Sequence, residues 1–263
     1  MVSKDGVVTQ GEGAGEEAQG GKQVRDETHA PEPPGALPAG GAAARAGAGA
    51  RPEAGGHRWQ LVLLRHGVTE YTETYRIDGR GGSNPPLSAL GERQAARAAE
   101  ELGRLLAEPA TQGRVRVVTS SLERARQTGG GVAAALGIEA GQDARFDEQG
   151  HGLARAFAQD PDCVVPGGET HQEVALRVLE GLQEVGRTAV EQELHTVVVA
   201  AHRIAIMTAL ESVLGMGYPR SWALGQHPAA FHTLELVGPD VPGGFVELSG
   251  LNVRNHLEGL PAR

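Results

Sequence analysis

The feature that most constrains the fold is an alternation of short apolar runs with longer amphipathic segments, which begins near Trp59. The clearest apolar runs, residues 59–64, 115–119 and 195–201, have the length and composition of buried β-strands. Strands that alternate with helices are typical of a mostly parallel sheet covered by helices on both faces. The sequence therefore predicts a three-layer α/β/α domain.

The segments between these runs have helix start signals and apolar stripes. Ser120 with Glu123, and Thr170 with Glu173, have the spacing of a capping box, which marks the first turn of a helix. Three glycines, 129–131, interrupt the helix after Ser120 and are expected to cost it about 1 kcal/mol each relative to alanine. The predicted helices run from Ser88 to residues 108–109, from Ser120 to about 137, from Thr170 onward, and over 204–214. Further extended segments are predicted at 144–146, 231–237 and 245–248, the last two paired around a Gly/Pro turn.

Residues 1–57 have a different composition from the rest of the chain. They contain 13 Gly, 12 Ala and 5 Pro and no aromatic residue. Such a segment buries too little apolar surface to offset the entropy lost on ordering. We therefore predict a disordered tail over 1–57 and a single catalytic domain over 58–263.

Charge and apolar patterning exclude several classes of protein. The formal net charge of -9 argues against a nucleic-acid partner, because affinity for phosphate backbones comes from Lys and Arg. No apolar stretch approaches the roughly 20 residues of a membrane span, and the first residues lack the apolar run of a secretory signal. Cys163 is the one cysteine, so neither an internal disulfide nor a cysteine zinc site is expected. A cytoplasmic location without membrane contact is the resulting expectation, whereas the oligomeric state is left open.

Polar and charged residues follow three of the predicted strands. Arg65-His66-Gly67 follows the first, residues 119–124 with Arg124 follow the second, and His202-Arg203 follows the third. Ligands of parallel sheets bind outside the carboxyl ends of the strands. Two guanidiniums can fork onto a tetrahedral dianion, and a neutral imidazole between them can attack phosphorus. This set predicts phosphoryl chemistry that needs no metal and no cofactor.

The same motifs, in the same order, resemble those of the histidine phosphatase superfamily with its phosphoglycerate mutase-like fold. The resemblance covers about residues 60–250. Its motifs are Leu-Leu-Arg-His-Gly-Val-Thr-Glu at 63–70, Arg-Ile-Asp-Gly-Arg at 76–80, Pro-Leu-Ser at 86–88, Ser-Ser-Leu-Glu-Arg-Ala-Arg-Gln-Thr at 120–128, Gly-Gly-Glu-Thr at 167–170 and Val-Val-Val-Ala-Ala-His at 197–202.

The resemblance implies a role for each charged residue at the strand ends. His66 would carry a phosphohistidine intermediate, with Arg65, Arg124 and His202 around the phosphate. Glu148 would donate the proton, and Asp147 is its competitor. Five further residues are candidates for substrate binding: Thr72, Gly79, Arg80, Arg203 and His227.

The chain departs from the family pattern near the site, and one of the departures is Leu153-Ala154 where an acidic residue is common. Tyr71-Thr72 stands where Trp-Asn is common, and Arg203 stands where Gly usually follows the last histidine. Arg203 could add a cation to the pocket or point into solvent, and the sequence leaves both open. His151 is a candidate contact or a surface histidine, and His171 is expected to be solvated at a helix start.

We therefore predict a metal-independent phosphomonoesterase that acts on a small phosphorylated metabolite. A phosphoglycerate mutase is the first alternative, but the segment from Glu148 to Gly168 is short for the covering insertion that the resemblance implies for mutases. A non-catalytic protein that binds phosphorylated ligands is the second alternative.

Overall fold

A computed structural model of the chain describes residues 56–76, 78–150, 167–218 and 220–262. The predicted disordered tail lies outside these residues except for Gly56 and His57, so that prediction is not tested. His151 and Cys163 also lie outside the described residues.

The core of the fold is one six-stranded sheet with the strand order β3-β2-β4-β1-β5-β6. Four neighbouring strands, β3, β2, β4 and β1, are parallel, and β5 and β6 extend the sheet in antiparallel fashion. The strands are β1 (Arg58–Arg65), β2 (Val115–Thr119), β3 (Ala140–Gln142), β4 (Thr196–Ala201), β5 (Phe231–Val237) and β6 (Phe245–Val253). The predicted mostly parallel sheet and the C-terminal strand pair are confirmed.

Helices cover both faces of this sheet, because the side chains of its central strands alternate between two apolar clusters. Leu61 and Leu63 of β1 pack in one cluster with α4 and α5, whereas Val62 and Leu64 pack in the other with α2 and α3. The helices are α1 (Glu70–Glu73), α2 (Ala89–Thr111), α3 (Glu123–Leu136), α4 (His171–Glu191) and α5 (Arg203–Leu214). The predicted three-layer α/β/α architecture is confirmed.

Two predicted local features are wrong. Ser120 does not cap α3: the helix begins at Glu123 after Leu122, and the Ser120 hydroxyl is bonded to Asp147 instead. Residues 144–146 form a 3₁₀ turn capped by Asp143 rather than a strand, and β3 lies just before them. In both places a side-chain hydrogen bond of a Ser or Asp overrides the local pattern.

The end of one helix also differs from the prediction. Helix α2 continues past Pro109 to Thr111. Helix α3 runs through its three glycines, in agreement with the predicted helix to about residue 137. The capping box of Thr170 and Glu173 at the start of α4 is confirmed.

Within the described part of the chain, none of the helices combines the length and apolar character that crossing a membrane would require.

Candidate active site

The strand register brings the charged motifs to one edge of the sheet. Arg65 at the end of β1 lies beside Ala201 at the end of β4, and Thr119 of β2 lies beside Ala200. The three polar loops therefore leave the sheet at the same level. A cavity of about 300 Å³ opens there, and the residues that line it include Arg65, His66, Thr72, Arg124, Glu148, Arg203 and Trp222.

His66 is held with one ring nitrogen available for attack. Its Nδ1 lies 2.6 Å from the carbonyl oxygen of Gly67, and a carbonyl only accepts, so Nδ1 carries the proton and Nε2 keeps its lone pair. Burial, then the charges of Arg124 and Arg65, hold the pKa of His66 well below its ordinary value, although the bond to Gly67 opposes this. His66 is therefore neutral near neutral pH, as a nucleophile on phosphorus requires.

Gly67 has a steric reason to follow His66. A Cβ at this position would lie 2.5 Å from the carbonyl oxygen of Gly91 in the first turn of α2. The loop after β1 and the start of α2 thus approach each other more closely than any side chain allows. This close approach explains the glycine of the Arg-His-Gly motif.

His202 lies next to His66, and their ring centroids are 5.0 Å apart. Its Nε2 is 2.7 Å from the Ser120 hydroxyl oxygen, and the side chain is completely buried. Burial first, then the neighbouring His66 and the charges of Arg124 and Arg65, hold the pKa of His202 well below its ordinary value.

The two arginines of the site are anchored differently. Arg124 is buried and donates to the Oδ2 of Asp78 at 3.2 Å and to the backbone oxygen of Asp78 at 3.1 Å. Burial lowers the pKa of Arg124, while the carboxylates of Glu148, Asp78 and Asp147 act against this shift. Arg65 donates to the backbone oxygen of Gln226. Both guanidiniums line the cavity and can be shared with a bound anion.

Glu148 and Asp147 are adjacent in sequence but have different surroundings. Glu148 lines the cavity, and its Oε1 accepts from the backbone amides of Gln149 at 2.9 Å and Ile204 at 3.2 Å. The Asp147 carboxylate is occupied by Ser120 and Ser121, including the Ser121 amide at 2.8 Å. The geometry therefore offers Glu148, rather than Asp147, to a substrate in the cavity.

Two of the candidate substrate-binding residues, Thr72 and Arg203, line the same cavity as His66. Arg203 stacks on the ring of Trp222, with 4.6 Å between its guanidinium carbon and the ring centroid. Arg203 was expected either to add a cation to the pocket or to point into solvent, and in the structure it lines the cavity. His227 borders an adjoining cavity that Arg65, Thr72 and Arg203 also line, and its ring contacts Asn252 and Arg254.

Gly79 and Arg80 are absent from the described lining of the cavity with His66. The Arg80 guanidinium lies 3.6 Å from a carboxylate oxygen of Glu169, and Gly79 accepts a turn hydrogen bond from Gly82. Their role in substrate binding stays a prediction. The expectation that His171 is solvated is wrong, because its buried ring lies 2.6 Å from Glu211.

Three groups at the site were not predicted to lie there, although Ser120 was expected to cap a helix. Asp78 anchors Arg124, Trp222 supports Arg203, and Ser120 contacts His202. Asp78 and Ser120 both stand inside motifs of the resemblance, which is a signal that could have identified them. Trp222 stands in no such motif, and only the folded chain places it beside the cavity.

Known protein sequences similar to this chain include members of one enzyme family. The family model described as the histidine phosphatase superfamily (branch 1) matches residues 61–240. A bifunctional protein of Mycobacterium tuberculosis is 34% identical over 174 residues, which are 60% of this chain and 45% of that protein. A probable phosphoglycerate mutase of Serratia proteamaculans is 30% identical over 174 residues, which are 60% of this chain and 75% of that protein. The chain thus spans less than half the length of the mycobacterial relative.

Solved structures extend the comparison to the fold. A mycobacterial glucosyl-3-phosphoglycerate phosphatase has a TM-score of 0.61 at 26% identity, over 74% of this chain and 99% of that one. A phosphoglycerate mutase from Bacillus anthracis has the same fold, with a TM-score of 0.59 at 15% identity over 77% of this chain and 96% of that one. The matched family region contains His66, Arg124, Glu148 and His202 and most of the sheet. With a family model matching more than half of its length, the chain belongs to the histidine phosphatase superfamily (branch 1).

Proposed function

We propose that the chain is a metal-independent phosphomonoesterase that hydrolyses a small phosphorylated metabolite through a phosphohistidine on His66. The observation that carries this proposal is the hydrogen bond from His66 Nδ1 to Gly67, which leaves Nε2 with a lone pair beside Arg65 and Arg124. The presence of a phosphatase among the structural relatives also supports phosphate ester hydrolysis as the reaction.

The proposed reaction has two steps. His66 Nε2 attacks phosphorus, the N–P bond forms as the bond to the ester oxygen breaks, and protonated Glu148 gives its proton to the departing alcohol. Glu148 then takes a proton from a water molecule, whose oxygen attacks phosphorus and breaks the N–P bond. Inorganic phosphate leaves, and His66 and Glu148 return to their starting forms. Arg65, Arg124 and His202 would stabilise the charge on the transferring group.

The test of this proposal is the His66→Ala variant. We expect it to lose essentially all turnover of p-nitrophenyl phosphate, and the wild-type protein to yield acid-labile phosphate on His66 by mass spectrometry after an alkaline quench. His195→Ala is a matched control, because His195 is exposed just before β4, at the end of the sheet opposite the cavity. Retained turnover in His66→Ala would overturn the assignment of the nucleophile.

Two controls separate this proposal from other chemistry. We expect EDTA to leave the rate within about twofold, and strong inhibition would instead indicate a metal mechanism. A mutase, which the Serratia relative is named as, would return the phosphoryl group to a second hydroxyl. Release of inorganic phosphate supports the phosphatase, whereas interconversion of phosphoglycerate isomers without release would support the mutase. A cytoplasmic location remains a prediction.

A further inference from the structure

Behind His202 lies a buried chain of hydrogen bonds that the proposed reaction does not yet use. His202 Nε2 is 2.7 Å from Ser120 Oγ, and Ser120 Oγ is 2.7 Å from Asp147 Oδ1. All three side chains are at most 2% exposed. They come from the ends of three different segments, namely the loop after β4, the loop after β2 and the loop after β3.

The donors and acceptors in this chain can be assigned from the chemistry of each group. The Ser120 hydroxyl has one proton, which it donates to the Asp147 carboxylate. Its oxygen then accepts from the amide of Leu122 at 3.1 Å and from the remaining neighbour, His202 Nε2. His202 therefore carries its proton on Nε2.

The other nitrogen of His202 has a distinct environment. Nδ1 is buried and has no hydrogen-bond partner among the described residues. His202 is not among the described lining residues of the cavity, but its ring lies next to that of His66, which is one of them. In the neutral ring Nδ1 presents a lone pair, which would repel an oxygen of a phosphoryl group bound at His66. Nδ1 can donate to a bound phosphoryl group only after it gains a proton, and the ring is then an imidazolium.

Charges around His202 oppose this second proton in the unliganded protein. Arg65 faces it from the end of β1, Arg124 from α3 and Arg177 from α4, and the neutral ring of His66 lies beside it. The groups that favour an imidazolium are the Asp147 carboxylate, linked through Ser120, and the bound phosphoryl group itself. Glu148, whose Oε1 accepts from the amide of Ile204 two residues after His202, also lies close by, but it is neutral in the protonated form with which the proposed reaction begins.

We propose that Ser120 and Asp147 are positioning residues that hold His202 with its proton on Nε2 and stabilise its imidazolium when a phosphoryl group binds. The second proton comes from solvent or from the phosphate monoanion and resides on Nδ1, where it donates to a phosphoryl oxygen. No covalent bond changes at His202. This inference rests on the proposed function for its catalytic consequence, but the assignment of the proton on Nε2 does not depend on catalysis.

The matched pair of variants for this proposal is Ser120→Ala and Ser121→Ala. Both remove a hydroxyl that donates to Asp147, but only Ser120 touches His202. We expect Ser120→Ala to lower kcat for an alkyl phosphate by about 100-fold, at the low end of the cost of losing one preorganised hydrogen-bond donor to the transition state. Ser121→Ala is expected to stay within about threefold of wild type. Equal kcat values for the two variants would overturn the proposal.

A spectroscopic measurement tests the proton positions without relying on turnover. In ¹⁵N-labelled wild-type protein we expect the His202 resonances to show a proton on Nε2 and none on Nδ1, and a proton on both once inorganic phosphate is added. In Ser120→Ala the preference for Nε2 should be lost. A proton on Nδ1 of the unliganded wild-type ring, or no change with phosphate, would contradict the proposal. If His66→Ala kept its activity, the proposed function would fail while the Nε2 assignment still stood on these spectra.

Discussion

At the scale of single residues, two adjacent carboxylates differ in their hydrogen-bond partners. Glu148 lines the cavity and accepts from backbone amides, so its carboxyl group is accessible to a substrate bound there. Asp147 accepts from Ser120 and Ser121 and does not line the described cavity. These surroundings support the proposal of Glu148, rather than Asp147, as the acid.

The Glu148→Gln variant tests this proposed role. A glutamine keeps the size of the side chain but has no acidic proton, so we expect kcat for an alkyl phosphate to fall by about 10²- to 10⁴-fold. The loss should be much smaller for p-nitrophenyl phosphate, because its leaving phenolate is stable without a proton. Glu139→Gln, at an exposed position before β3, is the control and should not change either rate. An equal loss on both substrates would indicate that Glu148 does not act as the acid.

At the scale of the elements, a glycine at position 129 allows α3 to pack closely against the sheet. A Cβ on Gly129 would lie 2.5 Å from the Cγ2 of Thr119 in β2 and 2.8 Å from the Cβ of Ala200 in β4. The neighbouring Gly130 faces open space, with nothing within 4 Å of such a Cβ. Glycine at position 129 lowers the helix propensity of α3, but it allows this helix, which carries Arg124, to lie close to the strands.

The pair Gly129→Ala and Gly130→Ala tests this packing within one helix. Gly130→Ala should raise the free energy of unfolding by about 0.5–1 kcal/mol, because alanine is the better helix former and meets no neighbour. Gly129→Ala should lower it by about 1–3 kcal/mol through overpacking, in spite of the same gain in propensity. Urea unfolding of both variants measures the difference, and equal stabilisation by the two would refute the close approach.

At the scale of the whole molecule, burial makes stability depend on the protonation of histidines. Burial lowers the pKa of His232 to about 4, and the pKa values of His66 and His202 are also depressed. The ring of His232 accepts from the amide of Asn252 at 3.2 Å, so the nitrogen that would take a proton already faces a donor. The unfolded chain binds protons at these histidines near pH 6.5, whereas the folded chain resists them.

The pH dependence of unfolding follows from the sign of these shifts. A depressed histidine pKa contributes stability that is fully present above about pH 6.5 and is lost as the pH falls towards the folded pKa. In this window each such histidine lowers the free energy of unfolding by about 1.4 kcal/mol per pH unit. We expect His232→Gln to have a shallower fall than wild type between about pH 6.5 and about pH 5 in urea titrations. Exposed His195→Gln is the control, and identical slopes for His232→Gln and wild type would contradict the assignment.

The order and type of most elements follow from the sequence by itself. Leu61 to Leu64 form a continuous apolar run because β1 is covered on both faces, and Thr170 with Glu173 marks the start of α4 by contacts that span a single turn. The family resemblance also follows from motifs that are contiguous in sequence, such as Arg65-His66-Gly67. These signals are readable because the interactions behind them are local or depend only on which face of a strand is buried.

The tertiary structure alone decides the partners that chemistry at the site requires. Ser120 bonds Asp147, 27 residues away, and His202, 82 residues away, instead of capping the helix that begins beside it. Gly129 in α3 is needed only because Thr119 and Ala200 lie beneath it. The local sequence determines which hydrogen bonds a side chain can make and how much space it can fill, but several partners are available for each side chain. The partner it contacts depends on distances that are set only when the fold brings the strand ends together.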